Sequence, residues 1–164
     1  MTLTSGHIQP CLWFDDDLEE AARFYTGIFP NSSIGHLSRY TEAGHGVPGS
    51  VMAAEFTLDG LTFRGINGGP EFRFTEAVSF AVTCRDQSEV DYYWDSLVDG
   101  GEESMCGWLK DRFGLSWQIV PARLYELVAD PVPERALAAT RAMLGMRRLV
   151  VAELEAAADA AVPR

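Results

Sequence analysis

The chain has 164 residues, 47% of them hydrophobic, with 13 Lys plus Arg against 24 Asp plus Glu for a net charge of −11. This length suits one compact domain or two small fused modules, with enough apolar side chain to bury a core. The acidic balance gives nucleic acid and anionic membranes no electrostatic reason to approach, and no apolar run nears the roughly 20 residues of a membrane span.

Residues 8–14 (IQPCLWF) are short, apolar and aromatic, and predict a strand. They lead into Asp15-Asp16-Asp17 and then LEEAARFYTGIF, whose apolar residues Leu18, Ala21, Ala22, Tyr25, Ile28 and Phe29 have helical spacing. Asp17 and Glu20 are placed to form a capping box, and Pro30-Asn31-Ser32 ends the helix. Three further strands are expected at 34–40, 50–58 and 61–67, the last two joined by the hairpin-type turn Asp59-Gly60.

The pattern then returns 69 residues later. VSFAVTC, residues 78–84, is again strand-like and is followed by Asp86-Gln87-Ser88-Glu89 and the helical VDYYWDSLV. Asp17 corresponds to Asp86, Glu20 to Glu89, Phe24 to Tyr93 and Tyr25 to Trp94, and Gly100-Gly101 closes the second helix. Shorter strands are expected near 103–105, 107–110 and 115–120. Two strand-cap-helix units at one offset indicate an internal duplication, β-α-β-β-β twice with the second copy abbreviated. From Asp130 the composition changes: Pro133 sits at a first helical position, an Ala-rich helix spans about 134–144, and 152–161 predicts another. This tail reads as a packing or dimerisation arm. The expected organisation is a first module over 1–75, a second over 76–125 and a helical arm over 126–164, together one compact α+β domain.

Cys11, Cys84 and Cys106 form no CxxC and leave one unpaired, which points to a reducing compartment. The N-terminus shows no basic region followed by an apolar stretch, so a cytoplasmic location is expected. A nucleophilic thiol needs a basic neighbour, and the reading for these cysteines is buried and inert, with Cys106, near Lys110, left open.

The runs IQPCLWF, EEAARFYTGIFPNS, VMAAEFTLDG, FRGINGGP, EAVSFAVTC, DQSEVDYYWDSLVDGGEE, CGWLKDRFGLSWQIVP and DPVPERALAATRAMLGM closely resemble the PhnB-like family of the glyoxalase/bleomycin-resistance (vicinal-oxygen-chelate) superfamily. The resemblance covers nearly the whole chain. It implies two pseudo-symmetric modules forming a curved mixed sheet around a pocket, and pairing into homodimers. Members are often labelled 3-demethylubiquinone-9 3-methyltransferase. The residues give that chemistry no support: a nucleotide-type cofactor needs a Gly-rich turn after the first strand of a parallel sheet, and the glycines here close hairpins and helices.

In metal-dependent relatives, His or Glu occupies four strand positions. Alignment on the shared strand-helix motif puts Pro10, Arg64 or Gly65, Ser79 and Gln118 there, with Gln9 admitted by a one-residue slip. Pro donates no lone pair, Arg repels a cation, and Ser and Gln are poor ligands, so no metal and no other cofactor is expected. His7, His36 and His45 do not form a two-histidine-plus-carboxylate set. His45, in AGHGVPG, reads as an exposed loop residue, with a lid contribution as the alternative. Glu55 is either a buried acid with a raised pKa or a solvent-facing one.

Strand alternation then assigns pocket walls to Pro10, Leu12, Phe14, Ser79, Thr83, Ser116 and Gln118, with Trp108 and the Gly68-Gly69 turn at the rim or as structural filler. Apolar surface mixed with neutral hydrogen-bonding groups suits a small organic molecule. The expected function is binding of such a molecule in a metal-free pocket. The alternatives are a superfamily lyase, isomerase or transferase with a non-standard metal set, and an interaction module with a vestigial pocket.

Overall fold

The computed structural model describes residues 8–44 and 46–162. His7 and His45, and with His45 the proposed lid contribution, lie outside the described residues. The chain divides into two compact units, Met1–Arg73 and Phe74–Arg164.

The first unit holds β1 (Cys11–Phe14), α1 (Leu18–Ile28), β2 (Ser33–Arg39), β3 (Val51–Leu58) and β4 (Leu61–Asn67). Its sheet runs β1-β4-β3-β2, with β1 parallel to β4 and the other pairs antiparallel. Leu18, Ala21, Ala22 and Tyr25 bury one face of α1, as the 3.6-residue period requires. Asp59 and Gly60, both at positive φ (44° and 81°), make the tight hairpin between β3 and β4. Gly65 allows α1 to pack closely: a Cβ there would stand 2.2 Å from Leu18 Cδ1.

The second unit repeats the order with β5 (Ser79–Cys84), α2 (Gln87–Val98), β6 (Glu102–Glu103), β7 (Trp108–Lys110) and β8 (Ser116–Pro121). Its sheet runs β5-β8-β7-β6, again with one parallel pair, β5 on β8. The duplicated β-α-β-β-β pattern is thus present in both connectivity and strand order. Asp111 organises the β7–β8 turn: its carboxylate accepts from Phe113 N, Leu115 N and the Trp117 indole at 2.9, 3.0 and 2.8 Å.

Three helices follow: α3 (Ala122–Val128), α4 (Pro133–Leu144) and α5 (Val151–Ala160). The last two match the sequence expectation. The first does not, because only Leu124 and Leu127 mark a buried side in seven residues. These helices build a core of their own from Leu124, Leu127, Ala139, Leu149, Leu154 and Ala158, and this core reaches Val120 on β8. Gln87 at the start of α2 holds the segment before α5, donating to Leu149 O (3.2 Å) and accepting from Val151 N (2.8 Å).

The two helix N-termini differ. Asp86 caps α2, accepting from Glu89 N at 3.0 Å, while the Glu89 side chain accepts from Arg85 N at 2.7 Å. Asp17 caps nothing through its side chain. The cap expected from Asp17 is supplied instead by Asn67 at the end of β4. Its Oδ1 accepts from Leu18 N (3.0 Å) and its Nδ2 donates to Asp16 O (3.2 Å) and Val51 O (2.9 Å).

Candidate functional site

Which side chains line a sheet face depends on strand register. In the first unit Leu12 pairs with Gly65 and Phe14 with Asn67. Gly65 abuts Leu18 and Asn67 binds Leu18 N, so this face is turned to α1. Leu12 and Phe14 are accordingly buried, at 6% and 2% exposure. They are core residues, opposite to the side expected for them. Cys11, with Arg64 as its partner, faces outward, and alternation brings Gln9 rather than Pro10 to that side. The Pro10 carbonyl accepts Arg64 N at 2.9 Å.

The cause is one residue. The helix caps are 69 apart, Asp17 and Asp86, but the last strand residues, Phe14 and Cys84, are 70 apart. The first unit has one more residue between strand and helix than the second. Alignment on the helices therefore shifts β1 by one, and a one-residue slip turns every side chain to the other face.

In the second unit the alternation holds. Trp117 and Ile119 are buried, and Phe80 meets the Trp117 ring at 5.7 Å. The other face carries Ser79, Ala81 and Thr83 of β5, Ser116 and Gln118 of β8, and Trp108 and Lys110 of β7, registered as Ser79↔Ser116↔Lys110 and Ala81↔Gln118↔Trp108. Gln118 Nε2 donates to Ser79 Oγ at 2.8 Å. Thr83 is exposed, and the Val120 end of this face is absorbed into the helical arm. Beside Ser116 lies a cavity of about 110 Å³ lined by Glu76, Glu102, Glu103, Trp108 and Lys110. Lys110 Nζ is 2.6 Å from Glu76 Oε1.

The outward face of the first sheet bears a shallow groove of about 400 Å³ lined by Cys11, His36, Ser38, Glu55 and Arg64. Glu55 is half-exposed and 4.0 Å from Arg64, which selects the solvent-facing alternative for that acid. A larger cavity, about 560 Å³, escaped sequence reasoning. It lies at the N-terminus of α1, between Asp15, Asp16 and Glu19 on one side and Arg39, Tyr40 and Ser50 on the other. Two of its carboxylates are engaged, Asp15 by Arg73 at 3.8 Å and Glu19 by Arg23 at 2.8 Å. Gly68 and Gly69 border it in a structural role: a Cβ at Gly68 would strike the Trp13 ring at 2.3 Å, and Gly69 O accepts the Trp13 indole N–H at 2.8 Å.

Of the three cysteines only Cys84 is buried; Cys11, expected to be buried, is exposed, and Cys106 is half-buried. Burial, helped by Glu89 and Asp86, pushes the Cys84 thiol up to about 12, so it stays protonated. Cys106, at φ 61°, is a backbone device: Cys106 N and Gly107 N donate to Met146 O and Arg147 O, each at 2.7 Å.

The donor set does not fit a divalent metal. The first unit offers Arg64 at the expected position, with Gln9 just ahead of β1, and the second offers Ser79 and Gln118. Arg64 is cationic and ion-paired, and Ser79 and Gln118 are bonded to each other. Among the described residues no three His, Cys, Asp or Glu side chains are grouped to hold a metal ion.

Residues 6–120 match the family model described as 3-demethylubiquinone-9 3-methyltransferase. A Bacillus cereus PhnB protein bearing the same methyltransferase label is 38% identical, over 71% of this chain and 100% of its own, with a TM-score of 0.67. The chain belongs to the PhnB-like family. Two structures show the fold alone: a Pseudomonas aeruginosa protein at 17% identity, covering 71% of this chain and 98% of its own, TM-score 0.60. The second is the fosfomycin resistance protein FosX of Mesorhizobium loti at 16% identity, covering 77% and 99%, TM-score 0.54. These place the PhnB-like chain in the glyoxalase/bleomycin-resistance fold. No curated protein matches the chain. No helix among the described residues is long and apolar enough to cross a membrane.

Proposed function

We propose that this PhnB-like protein binds a small organic molecule on the open face of its second sheet, around Ser79, Trp108, Ser116 and Gln118, without a bound metal. The observation that carries the reading is the 2.8 Å bond from Gln118 to Ser79. It occupies two of the four positions where metal-dependent relatives present ligands, and it leaves a neutral hydroxyl-amide pair beside an indole, a surface for hydrogen-bonded organic groups. The methyltransferase label has no counterpart in this chemistry. The turn after β1 is Asp15-Asp16-Asp17, carboxylates where a nucleotide-type cofactor needs glycine and backbone N–H groups.

Metal analysis of the purified protein, with a thermal-shift panel of Ni, Zn, Mn and Fe, tests the reading. Substoichiometric metal and no shift are expected, whereas one tightly held equivalent per chain overturns it. The protein works as a cytoplasmic homodimer in this proposal. Three free cysteines support the compartment, and exposed Tyr125, Leu137 and Leu144 on the arm supply apolar surface for a partner copy. Sedimentation equilibrium showing monomer at micromolar concentration removes the dimer.

A further inference from the structure

The small cavity of the second unit has a chemistry of its own. Ser116 is 1% exposed, and its hydroxyl is buried without a hydrogen-bond partner among the described residues. Buried hydroxyls are nearly always paired, so an orphan one at a cavity wall marks a place where something else completes the bond. The cavity that Ser116 lines, about 110 Å³, has room for about three or four waters' volume at roughly 30 Å³ each. That is too small for a whole ligand and right for one end of it.

The walls set the sign of that end. Glu76 and Glu102 bring two carboxylates, while Glu103, in register with Leu109, turns its own towards the Trp94 indole on the other side of the sheet. Lys110 neutralises Glu76 at 2.6 Å, and Arg147, from outside the cavity, reaches Glu103 at 3.3 Å. Glu102 has no such cation of its own, and it stands in register with Lys110, which stands in register with Ser116, so the three share one sheet face. One negative charge is therefore left over. Trp108 completes the wall, and the face of an indole attracts a cation and repels an anion. An acceptor hydroxyl, an uncompensated carboxylate and an indole form the surroundings that a protonated amine seeks.

We infer that the molecule bound by the second unit carries a primary ammonium group, seated between Glu102, Trp108 and the Ser116 hydroxyl, with its apolar remainder lying towards Gln118 and Ser79. The inference rests on the binding role proposed above and names the class of ligand. Ser116 Oγ accepts one N–H, Glu102 accepts a second, and the indole takes the charge. Anionic ligands are excluded from this end by the surplus carboxylate.

Titration of the isotope-labelled full-length protein by NMR tests this, with n-butylammonium, 1-butanol and butyrate as probes at constant ionic strength. Saturable shifts at the amides of 108–110 and 116–118 are expected with n-butylammonium, with affinity about tenfold above either other probe. Glu102→Gln weakens the ammonium about twofold to fivefold and leaves 1-butanol unchanged. Ser116→Ala weakens it too, while its Tm stays at the parent value because the lost hydroxyl had no protein partner. Equal or tighter binding of butyrate or 1-butanol at these amides overturns the ammonium assignment and leaves the binding role standing. Ammonium shifts that survive Glu102→Gln unchanged also overturn it, since they report general attraction to an acidic protein. If neither these probes nor a neutral fragment set perturbs residues 79, 108, 116 and 118, the binding role falls with it.

Discussion

The two β-α-β-β-β units share strand order and differ in how strand joins helix. In the second, Cys84 and the cap Asp86 enclose one residue, and Asp86 and Glu89 close the helix end locally. In the first, Phe14 and Asp17 enclose two, Asp17 makes no side-chain cap, and Asn67 reaches in from β4 to do it. An added residue displaces the local cap from the helix N–H groups, and those groups must then find a partner elsewhere. A short-range motif in one copy has become a long-range tie between helix and sheet in the other. The second unit has its own non-local addition, the helical arm that covers the Val120 end of its sheet.

Deleting Asp16 would equalise the two links and gives the sharpest way to break this comparison. The β1 side chains must then slip relative to α1, exposing Leu12 and Phe14, and the Asp16 carbonyl that accepts from Asn67 is lost. A loss above about 3 kcal/mol is expected in urea unfolding. Stability within roughly 1 kcal/mol of the parent would show that the extra residue is a dispensable bulge. Next comes Leu154→Ala in the fully buried centre of the arm, expected to cost about 2–5 kcal/mol. The same urea transition should carry the whole loss. A separate early transition, with β8 amides still protected from exchange, would instead make the arm an independent appendage. Asn67→Ala follows at about 2–3 kcal/mol, because it strands Leu18 N and two carbonyls in a buried place. Asp86→Ala should cost less, since water reaches that helix end. The reverse order would mean that the local cap, not the sheet-borne one, is the stronger.

These contrasts explain how much the sequence disclosed. Elements, their order and the duplication are legible because apolar periodicity and turn residues such as Asp59-Gly60 are local signals. Helix α3 is missed because seven residues hold barely two turns. The side of the sheet on which Leu12 and Phe14 fall is misread for a definite reason: the repeat is clearest in the helices, and the extra residue lies outside them. On the second sheet, where strand and helix stay in phase, Ser79 and Gln118 share one face. The Asn67 cap, the covering of Val120 and the Cys106 backbone tie join positions distant in the chain or depend on φ, and neither leaves a periodic trace. The cavity of about 560 Å³ escaped for a similar reason, since it is assembled from a helix start, a strand end and a loop.

The smallest expected effect separates the two residues that precede the helices, Asp17 and Asp86, by pH. Desolvation first, then the neighbouring Asp16, Glu20 and Asp15, raise the Asp17 carboxyl above its ordinary value of 3.8. A raised acid disfavours the folded state once ionised. The penalty is absent below pH 3.8, grows as pH rises through the raised value, and is full at neutrality. Asp86 runs the other way: hydrogen bonds from Ser88 and from Glu89 N lower its carboxyl. Its contribution is present above pH 3.8 and is lost as pH falls through the lowered value. Asp17→Asn should therefore raise Tm slightly at pH 7 and converge on the parent below pH 3.8. Asp86→Asn should lower Tm at pH 7 and converge only at more acidic pH. Thermal melts of both variants between pH 3 and pH 7 decide it. If Asp17→Asn lowers Tm at neutrality, the Asp17 carboxylate is acting as a cap after all, and the division of labour between local and sheet-borne caps fails.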